Sequence, residues 1–534
     1  MKNIKYIKWA LCATVALFMG SCIDDDLNND PTASTQMDPN IQLTTIQLLP
    51  STNSDDWHRY LIYPGGFMNQ WSNDWATVNY GGVGQKNDSY FAHMWDVYYP
   101  SIIREAVDIV ERTRDLPEYQ NVHAAGRIVK VENFLRLTDY YGDIPYFGAG
   151  KAYYEGIFKP EYDKQEDIYN DFFKELKEAA EQFDSSKPGL TADIYFNGDL
   201  NKWKKYANSL RLRIAMRLIK VNPERAKIEA ESAASSGLMT SNADICYVQH
   251  DNVQAEFAAS SNGIANRMLR DRSSTFRITS ELIGTLESMN DPRLLFYGGS
   301  YLEDDVRTDI TPLLLAYYGK YKDFTLPAQQ FSWSYDKPFE DIKPLSEITL
   351  NINGTDTKVS ALLQYMQPSK LVSKPGSPYI RMSYAEVEFL LADAVQRGYN
   401  VGGTASSHYK SGLEAAVRQW TLFGASINEP TLTTFLNSNI LTSGNELNQI
   451  NTQLWVLHFL NPFETWANWR RTGLPVNQVK FHNYHAGNQS GGQTPRRVQY
   501  PVSEQTSNPD GYKAAVARMG GTDDWLNRVW WDKN

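Results

Sequence analysis

Ser383-Tyr-Ala-Glu-Val-Glu-Phe-Leu-Leu-Ala-Asp-Ala394 reads as the opening turns of an amphipathic helix. Ser383 and Glu386 stand three apart in the form of a capping box, so Glu386 is expected to cap the helix rather than act as an acid catalyst. Val387, Leu390, Leu391 and Ala394 follow at spacings of three and four, which puts them on one face. Tyr409, Leu413, Ala416, Val417 and Trp420 repeat the pattern beyond a short Gly-rich break, giving an antiparallel pair near 381–421. Three more pairs have the same logic. Near 92–140, Trp95, Tyr98, Ile102, Ala106 and Ile109 form one stripe and Ile128, Val131, Leu135 and Thr138 the next, ending at Tyr141-Gly142. Near 165–220, Asp163-Lys-Gln-Glu166 is expected to cap a helix carrying Ile168, Phe172, Leu176 and Ala179. Its neighbour carries Trp203, Ala207, Leu210, Ile214 and Leu218, with Lys202, Lys205, Arg213 and Lys220 expected outside the stripe. Near 448–471, Ile450, Leu454 and Leu457 face Phe463 and Trp466, and Thr472-Gly473 closes the helix. The fold class is therefore mainly α, a helix-pair α-solenoid. An irregular insertion, 237–378, interrupts the pairs; within it Asn353-Gly354 marks a hairpin turn. The last ~60 residues are rich in Gly, Pro and Asn and read as coil.

The N-terminus addresses the protein to a membrane. Lys2, Lys5 and Lys8 precede the apolar run Trp9–Gly20, and small residues lead into Cys22. A basic start, a 12-residue apolar stretch and a small-residue exit describe a signal peptide, residues 1–21. The run is shorter than the ~20 residues a membrane span needs. Leu17-Phe-Met-Gly-Ser-Cys22 looks like a bacterial lipobox, with Met19 where leucine is usual, so Cys22 is expected to be lipidated, a palmitate-type acyl anchor. The acidic, polar stretch after it, residues 22–40, reads as a leash, and 41–534 as one domain.

Composition excludes several classes. The formal charge of -10 becomes -13 once the three leader lysines are removed, which argues against nucleic acid and against binding anionic lipid heads. With Cys22 acylated, Cys246 is the one thiol left after cleavage, so no disulfide framework exists and a large core must hold the fold. There is no H-E-x-x-H, P-loop or G-x-S-x-G; Gly81-Gly-Val-Gly-Gln-Lys86 lacks the phosphate-loop spacing. His482-Asn-Tyr-His485 lacks carboxylate or cysteine neighbours, and no metal or cofactor is expected.

Aromatic residues are the better lead to a site. They make up 13 % of the chain, yet residues 57–99 hold 12 in 43 positions. Trp71-Ser-Asn-Asp-Trp75, followed by Tyr80-Gly-Gly82, interleaves large rings with amides and carboxylates in a Gly/Asn-rich segment. That composition suits stacking on sugar faces or peptide side chains, with Asn73 between the rings as a hydrogen-bonding group. Trp71, Asn73, Trp75 and Tyr80 are therefore candidate ligand contacts; the competing reading is that Trp71 and Trp75, four apart, form one core-facing helix side. A second aromatic cluster occupies the insertion: Tyr297, Tyr301, Tyr317, Tyr318, Tyr321, Phe331, Trp333 and Tyr335, of which Tyr318 and Trp333 are the candidates.

A set of blocks, in order along the mature chain, resembles the SusD/RagB family of outer-membrane nutrient-binding lipoproteins. The two most specific are Arg381–Ala392 and Trp466-Ala-Asn-Trp-Arg-Arg-Thr-Gly473. Tyr141-Gly-Asp-Ile-Pro-Tyr146, Pro160–Tyr169, Asn201–Arg213, Asp291-Pro-Arg-Leu294, Arg496–Glu504 and Trp530-Trp-Asp-Lys533 complete the set. The resemblance implies four tetratricopeptide-like helix pairs and an irregular, loop-rich ligand-binding region. It also implies a SusC-like TonB-dependent transporter as partner, an oligosaccharide or, as in the RagB branch, a peptide as ligand, and no chemistry. An anchored secreted glycoside hydrolase is the alternative from another class. Within the blocks, Trp466 and Arg470 are one turn apart and are expected to stack in the core.

Overall fold

A computed structural model describes residues 37–72, 84–253, 260–270, 276–299, 347–352, 354–360, 367–479 and 488–534. Helix outweighs strand by 59 % to 5 %, well above the ~30–35 % helix of an average domain.

Helix α1 (Pro39–Leu48) starts at Asp38, whose carboxylate accepts the Asn40 amide. Helix α2 (Ser54–Tyr60) runs into a π turn, Leu61–Gly65, containing Pro64. Strand β1 (Trp71–Ser72) follows. Helices α3 (Asp88–Val97) and α4 (Arg104–Thr113) are joined by another π turn, Tyr98–Ile103, around Pro100, whose missing N–H breaks the regular ladder. Then come α5 (Gln120–Tyr141), α6 (Gln165–Gln182), α7 (Leu200–Arg217) and α8 (Pro223–Ser235). The insertion contributes β2 (Cys246–Val248), α9 (Gly263–Arg270), β3 (Arg277–Ile278), α10 (Ser280–Ser288), β4 (Gly298–Gly299), the hairpin β5 (Glu347–Ile352) and β6 (Thr355–Ser360), β7 (Gln367–Pro368) and β8 (Tyr379–Met382). The last helices are α11 (Tyr384–Gln396), α12 (Ala405–Arg418), α13 (Glu429–Ser438), α14 (Glu446–Leu457), α15 (Pro462–Thr472) and α16 (Pro509–Arg518).

Packing follows the apolar stripes. Trp95, Tyr98, Ile102, Ala106 and Ile109 are buried, as are Ile128, Val131, Leu135, Trp203, Ala207, Leu210 and Ile214. Helix α5 packs between α4 and α6, α6 against α7, and α7 against α8, α11 and α15. Helix α11 packs on α12 and α14, and α14 on α15. Ser383 caps α11 by accepting the Glu386 amide at 3.2 Å, and Gly473 closes α15 at φ +77°. In the hairpin, Ile352 pairs with Thr355 across a turn in which Gly354 takes φ +83°, a region glycine enters without strain. The Arg470 guanidinium lies 4.0 Å from the Trp466 ring centroid and 4.8 Å from that of Trp531.

Several local expectations are corrected. Asp163 does not cap α6: its carboxylate accepts the Tyr146 and Phe147 amides, and the Gln165 amide donates to Asp143 instead. The Glu386 side chain does not close the capping box. Arg213, expected outside its stripe, is buried and donates to both Glu386 oxygens at 2.6 and 2.7 Å, so the two form an ion pair inside the protein. Nor is the C-terminal stretch only coil. It folds into α16 and then plugs the core with Trp525 and Trp531, both fully buried.

Burial also sets a pH response. His123 on α5 is 7 % exposed, its Nδ1 lies 3.1 Å from the Thr113 hydroxyl, and burial pushes its pKa down to about 4. An unfolded histidine titrates near ~6.5. Between those values the unfolded chain binds a proton that the folded chain refuses. Stability is therefore expected to fall as pH drops from ~6.5 to about 4 and to level off below. Urea midpoints measured across this window should fall less steeply for His123→Gln than for the parent; parallel curves would exclude the effect.

Candidate functional site

The stems of the insertion and of the 72–84 segment are tied together by short strands and single hydrogen bonds. Trp71 pairs with Ile278 and Ser72 with Arg277, so β1 and β3 run side by side. The Thr279 amide donates to the Gln70 carbonyl at 3.3 Å, which extends this pairing. Gly298 and Gly299 pair with Pro368 and Gln367, and β7 packs against β3. From the other direction, the Gln489 amide donates to the Gly84 carbonyl at 2.7 Å and Asn69 Nδ2 to the Gln478 carbonyl at 3.0 Å. The described chain thus reaches its ends at 72, 276, 299, 367 and 479 from one shared platform, and its ends at 84 and 488 are paired with each other. Loops raised from such a platform are where binding residues concentrate on rigid scaffolds.

Under the platform stands a column of rings. Phe459, in the turn between α14 and α15, is sandwiched between Trp71 (centroids 4.3 Å apart, planes at 13°) and Tyr297 (4.6 Å, 6°). Trp420 continues it at 5.0 Å from Tyr297, and Phe423 lies 4.5 Å beyond. Polar edges are satisfied by backbone: Trp71 Nε1 donates to the Phe459 carbonyl at 2.9 Å, the Tyr297 hydroxyl to that of Val456 at 3.0 Å, and Trp455 Nε1 to that of Met68 at 2.8 Å. The column fastens the start of the 72–84 segment and the start of the 299–347 segment to one helix turn.

This geometry corrects one candidate. Trp71 is fully buried, belongs to a strand rather than a helix, and has no free face for a ligand. Tyr297 of the second cluster is likewise core. Asn73, Trp75, Tyr80, Tyr318 and Trp333 lie outside the described residues, as does Cys22. Phe459 is not marked by its spacing because its partners are distant in the chain; the run Trp455-Val-Leu-His-Phe459, with a ring at each end, is the available signal.

Beside the column lies a cavity lined by Arg381, Glu386, Gln419, Trp420, His458 and Asn461. Gln419 Oε1, Asn461 Oδ1, Trp420 Nε1 and His458 Nδ1 are buried there without a hydrogen-bond partner. The water-accessible volume of about 40 Å³ takes a few waters, whereas small-molecule sites run to ~300–1,000 Å³. Burial opposes ionisation of Glu386, yet the Arg213 guanidinium and His458 hold its carboxyl well below the usual carboxylate range. A carboxylate clamped this way is a poor proton donor. Among the described residues no cluster of three or more His, Cys, Asp or Glu is placed to hold a metal, and no helix is long and apolar enough to cross a membrane.

Residues 65–501 match the family model SusD-like_2, described as starch-binding and associating with the outer membrane. No curated protein matches the chain. Among solved structures, a chitin-binding protein is 32 % identical with a TM-score of 0.77, over 93 % of this chain and all of that one. A SusD-like protein from a Bacteroidetes bacterium is 31 % identical with a TM-score of 0.82, at the same coverages. A chitin-binding SusD homologue from Flavobacterium johnsoniae shares the fold at 24 % identity and a TM-score of 0.69, over 93 % of this chain and 98 % of that one. With most of its length inside the family model and these relatives matched end to end, the chain belongs to the SusD-like family.

Proposed function

We propose that this protein is a cell-surface lipoprotein, anchored through Cys22, that captures an oligosaccharide and hands it to a SusC-like TonB-dependent transporter without chemical change. The observation that carries the proposal is the family match over 65–501, joined to a relative 32 % identical that is named for binding chitin. Chitin oligosaccharides are accordingly the first ligands to try, ahead of starch fragments and peptides. The ligand contacts proposed are Asn73, Trp75, Tyr80, Tyr318 and Trp333, on the segments between residues 72 and 84 and between 299 and 347. Handing a ligand on needs moderate affinity and quick release, which suits rings stacking on sugar faces beside a few amides.

Protein lacking the first 22 residues, titrated calorimetrically with chitin oligomers, maltooligosaccharides and a peptide library, tests the ligand class. Binding confined to peptides would replace the glycan reading, and turnover of any oligosaccharide would replace binding with hydrolysis. Trp75→Ala should weaken glycan binding by about 1–3 kcal/mol, the scale of one large apolar side chain leaving contact. If Trp75 is a ligand contact, the unfolding midpoint of this variant should stay close to the parent's, whereas emptying a core tryptophan site costs ~3–5 kcal/mol.

The anchor is tested separately. Cys22→Ala is expected to move the exported protein from the detergent-rich to the aqueous phase on phase partition. Should it partition like the parent, the lipoprotein reading fails.

A further inference from the structure

Half of the large apolar side chains exposed on the described surface lie at α1, just after α4 and on the loop after α5. Met37 is 44 % exposed, Ile41 56 % and Leu116 38 %; on the loop after α5, Phe147 is 46 % exposed, Tyr153 90 % and Phe158 81 %. Met37 and Leu116 line one concavity with Arg112. The loop is fastened to the same place. The Tyr154 hydroxyl donates to Asp108 Oδ1 at 2.5 Å, and the other oxygen of that carboxylate accepts Gln42 of α1 at 2.8 Å. Arg112 Nη2 donates to the Met37 carbonyl at 2.8 Å. One carboxylate and one guanidinium thus join the aromatic loop, α4 and the root of the N-terminal segment. Lys151 and Lys159 stand among the rings. The 147–158 loop spends two almost fully exposed rings where solubility would favour polar residues.

We propose that this face beds into the lipid surface of the outer membrane. The inference rests on acylation of Cys22 and says how the anchored domain is oriented. Fourteen residues lie between Cys22 and Met37, and a chain of that length reaches at most about 50 Å when fully extended. A compact domain of ~500 residues is about 60 Å across. The tether therefore cannot bring the far side of the domain to the bilayer, whereas the face holding Met37 is kept beside it. Tyr and Phe flanked by Lys are the residue types that settle at the headgroup level, with apolar groups ~5–10 Å into the headgroup–acyl boundary. The outcome is a lipoprotein held in one orientation on the bilayer.

The test uses the lipidated full chain in vesicles of phosphatidylethanolamine and phosphatidylglycerol. Cys246 is buried and free, so a cysteine placed on the surface is the one accessible thiol. Tyr153→Cys and Phe158→Cys carry an environment-sensitive dye; Thr433→Cys on α13, itself exposed, is the reference. Emission at 153 and 158 is expected to shift to the blue and to be quenched by brominated acyl chains, with the 433 label unaffected. Vesicle flotation of the unlabelled parent separates the two readings. A parent that floats, with dyes at 153 and 158 behaving like that at 433, overturns the orientation and leaves the anchor standing. A parent that does not float removes both. A blue shift seen only when a transporter is reconstituted alongside, with no bromolipid quenching, assigns the face to a protein partner and overturns the lipid assignment.

Discussion

Trp71→Ala and Phe459→Ala are each expected to cost about 3–5 kcal/mol of folding free energy, the range for emptying a large aromatic site in a packed core. Trp71 contributes a fully buried ring stacked on Phe459 and a hydrogen bond from its indole to the Phe459 carbonyl. Phe459 has ring neighbours on both faces, so its removal leaves Trp71 and Tyr297 each without a partner. The double variant should cost less than the sum of the singles, because the two share one contact. Equilibrium urea unfolding followed by far-ultraviolet circular dichroism measures all three. A Trp71→Ala protein within about 1 kcal/mol of the parent would place that ring outside the load path of the core and reopen it as a ligand contact. Together with Trp75→Ala the experiment is decisive, since one tryptophan should affect stability and the other affinity.

Arg217→Met is expected to be as damaging, again about 3–5 kcal/mol, because it strands charge in the interior. Arg217 is 2 % exposed, bonds Glu464 through Nη2, and reaches Asp139 Oδ2 from Nε at 3.2 Å. Burial favours the neutral form of Glu464, but Arg213 and Arg217 hold its carboxyl below the ordinary value. With Arg217 gone, Glu464 keeps only the longer Arg213 contact at 3.6 Å, and Asp139, whose pKa burial already raises, loses its nearest cation. Adding Glu464→Gln to Arg217→Met should recover part of the loss. If the double variant is no more stable than Arg217→Met alone, uncompensated charge is not the cause and lost packing against Trp531 is.

These two variants mark the boundary between what was legible in the sequence and what was not. The helical stripes, the Ser383 cap, the Asn353-Gly354 hairpin and the stacking of Arg470 on Trp466 were all readable, because each rests on residues one to four positions apart. Asp163, Glu386 and Arg213 were misread for one reason. Each is a polar residue whose spacing suits a local role, and each is taken by a partner brought in from another element: the 146–147 amides for Asp163, and each other across 173 residues for Arg213 and Glu386. The Gly, Pro and Asn content of the C-terminal segment favours coil locally, yet Trp525 and Trp531 bury fully against helices built hundreds of residues earlier.

The site divides in the same way. Aromatic density in a Gly/Asn-rich stretch singled out Trp71 as a ligand contact but could not show that its ring is buried. Exposure is decided by what covers a ring, and the covering residue, Phe459, lies 388 positions away. By itself the sequence determined the helical class, the Ser383 cap, the hairpin turn and the family, all of which depend on short-range spacing or ordered blocks. Only the tertiary structure decided which charges pair in the interior, which rings form the column beneath the platform and which apolar residues are left exposed on the surface. Those outcomes arise from burial between distant elements, and burial is a property of the packed chain rather than of any window along it.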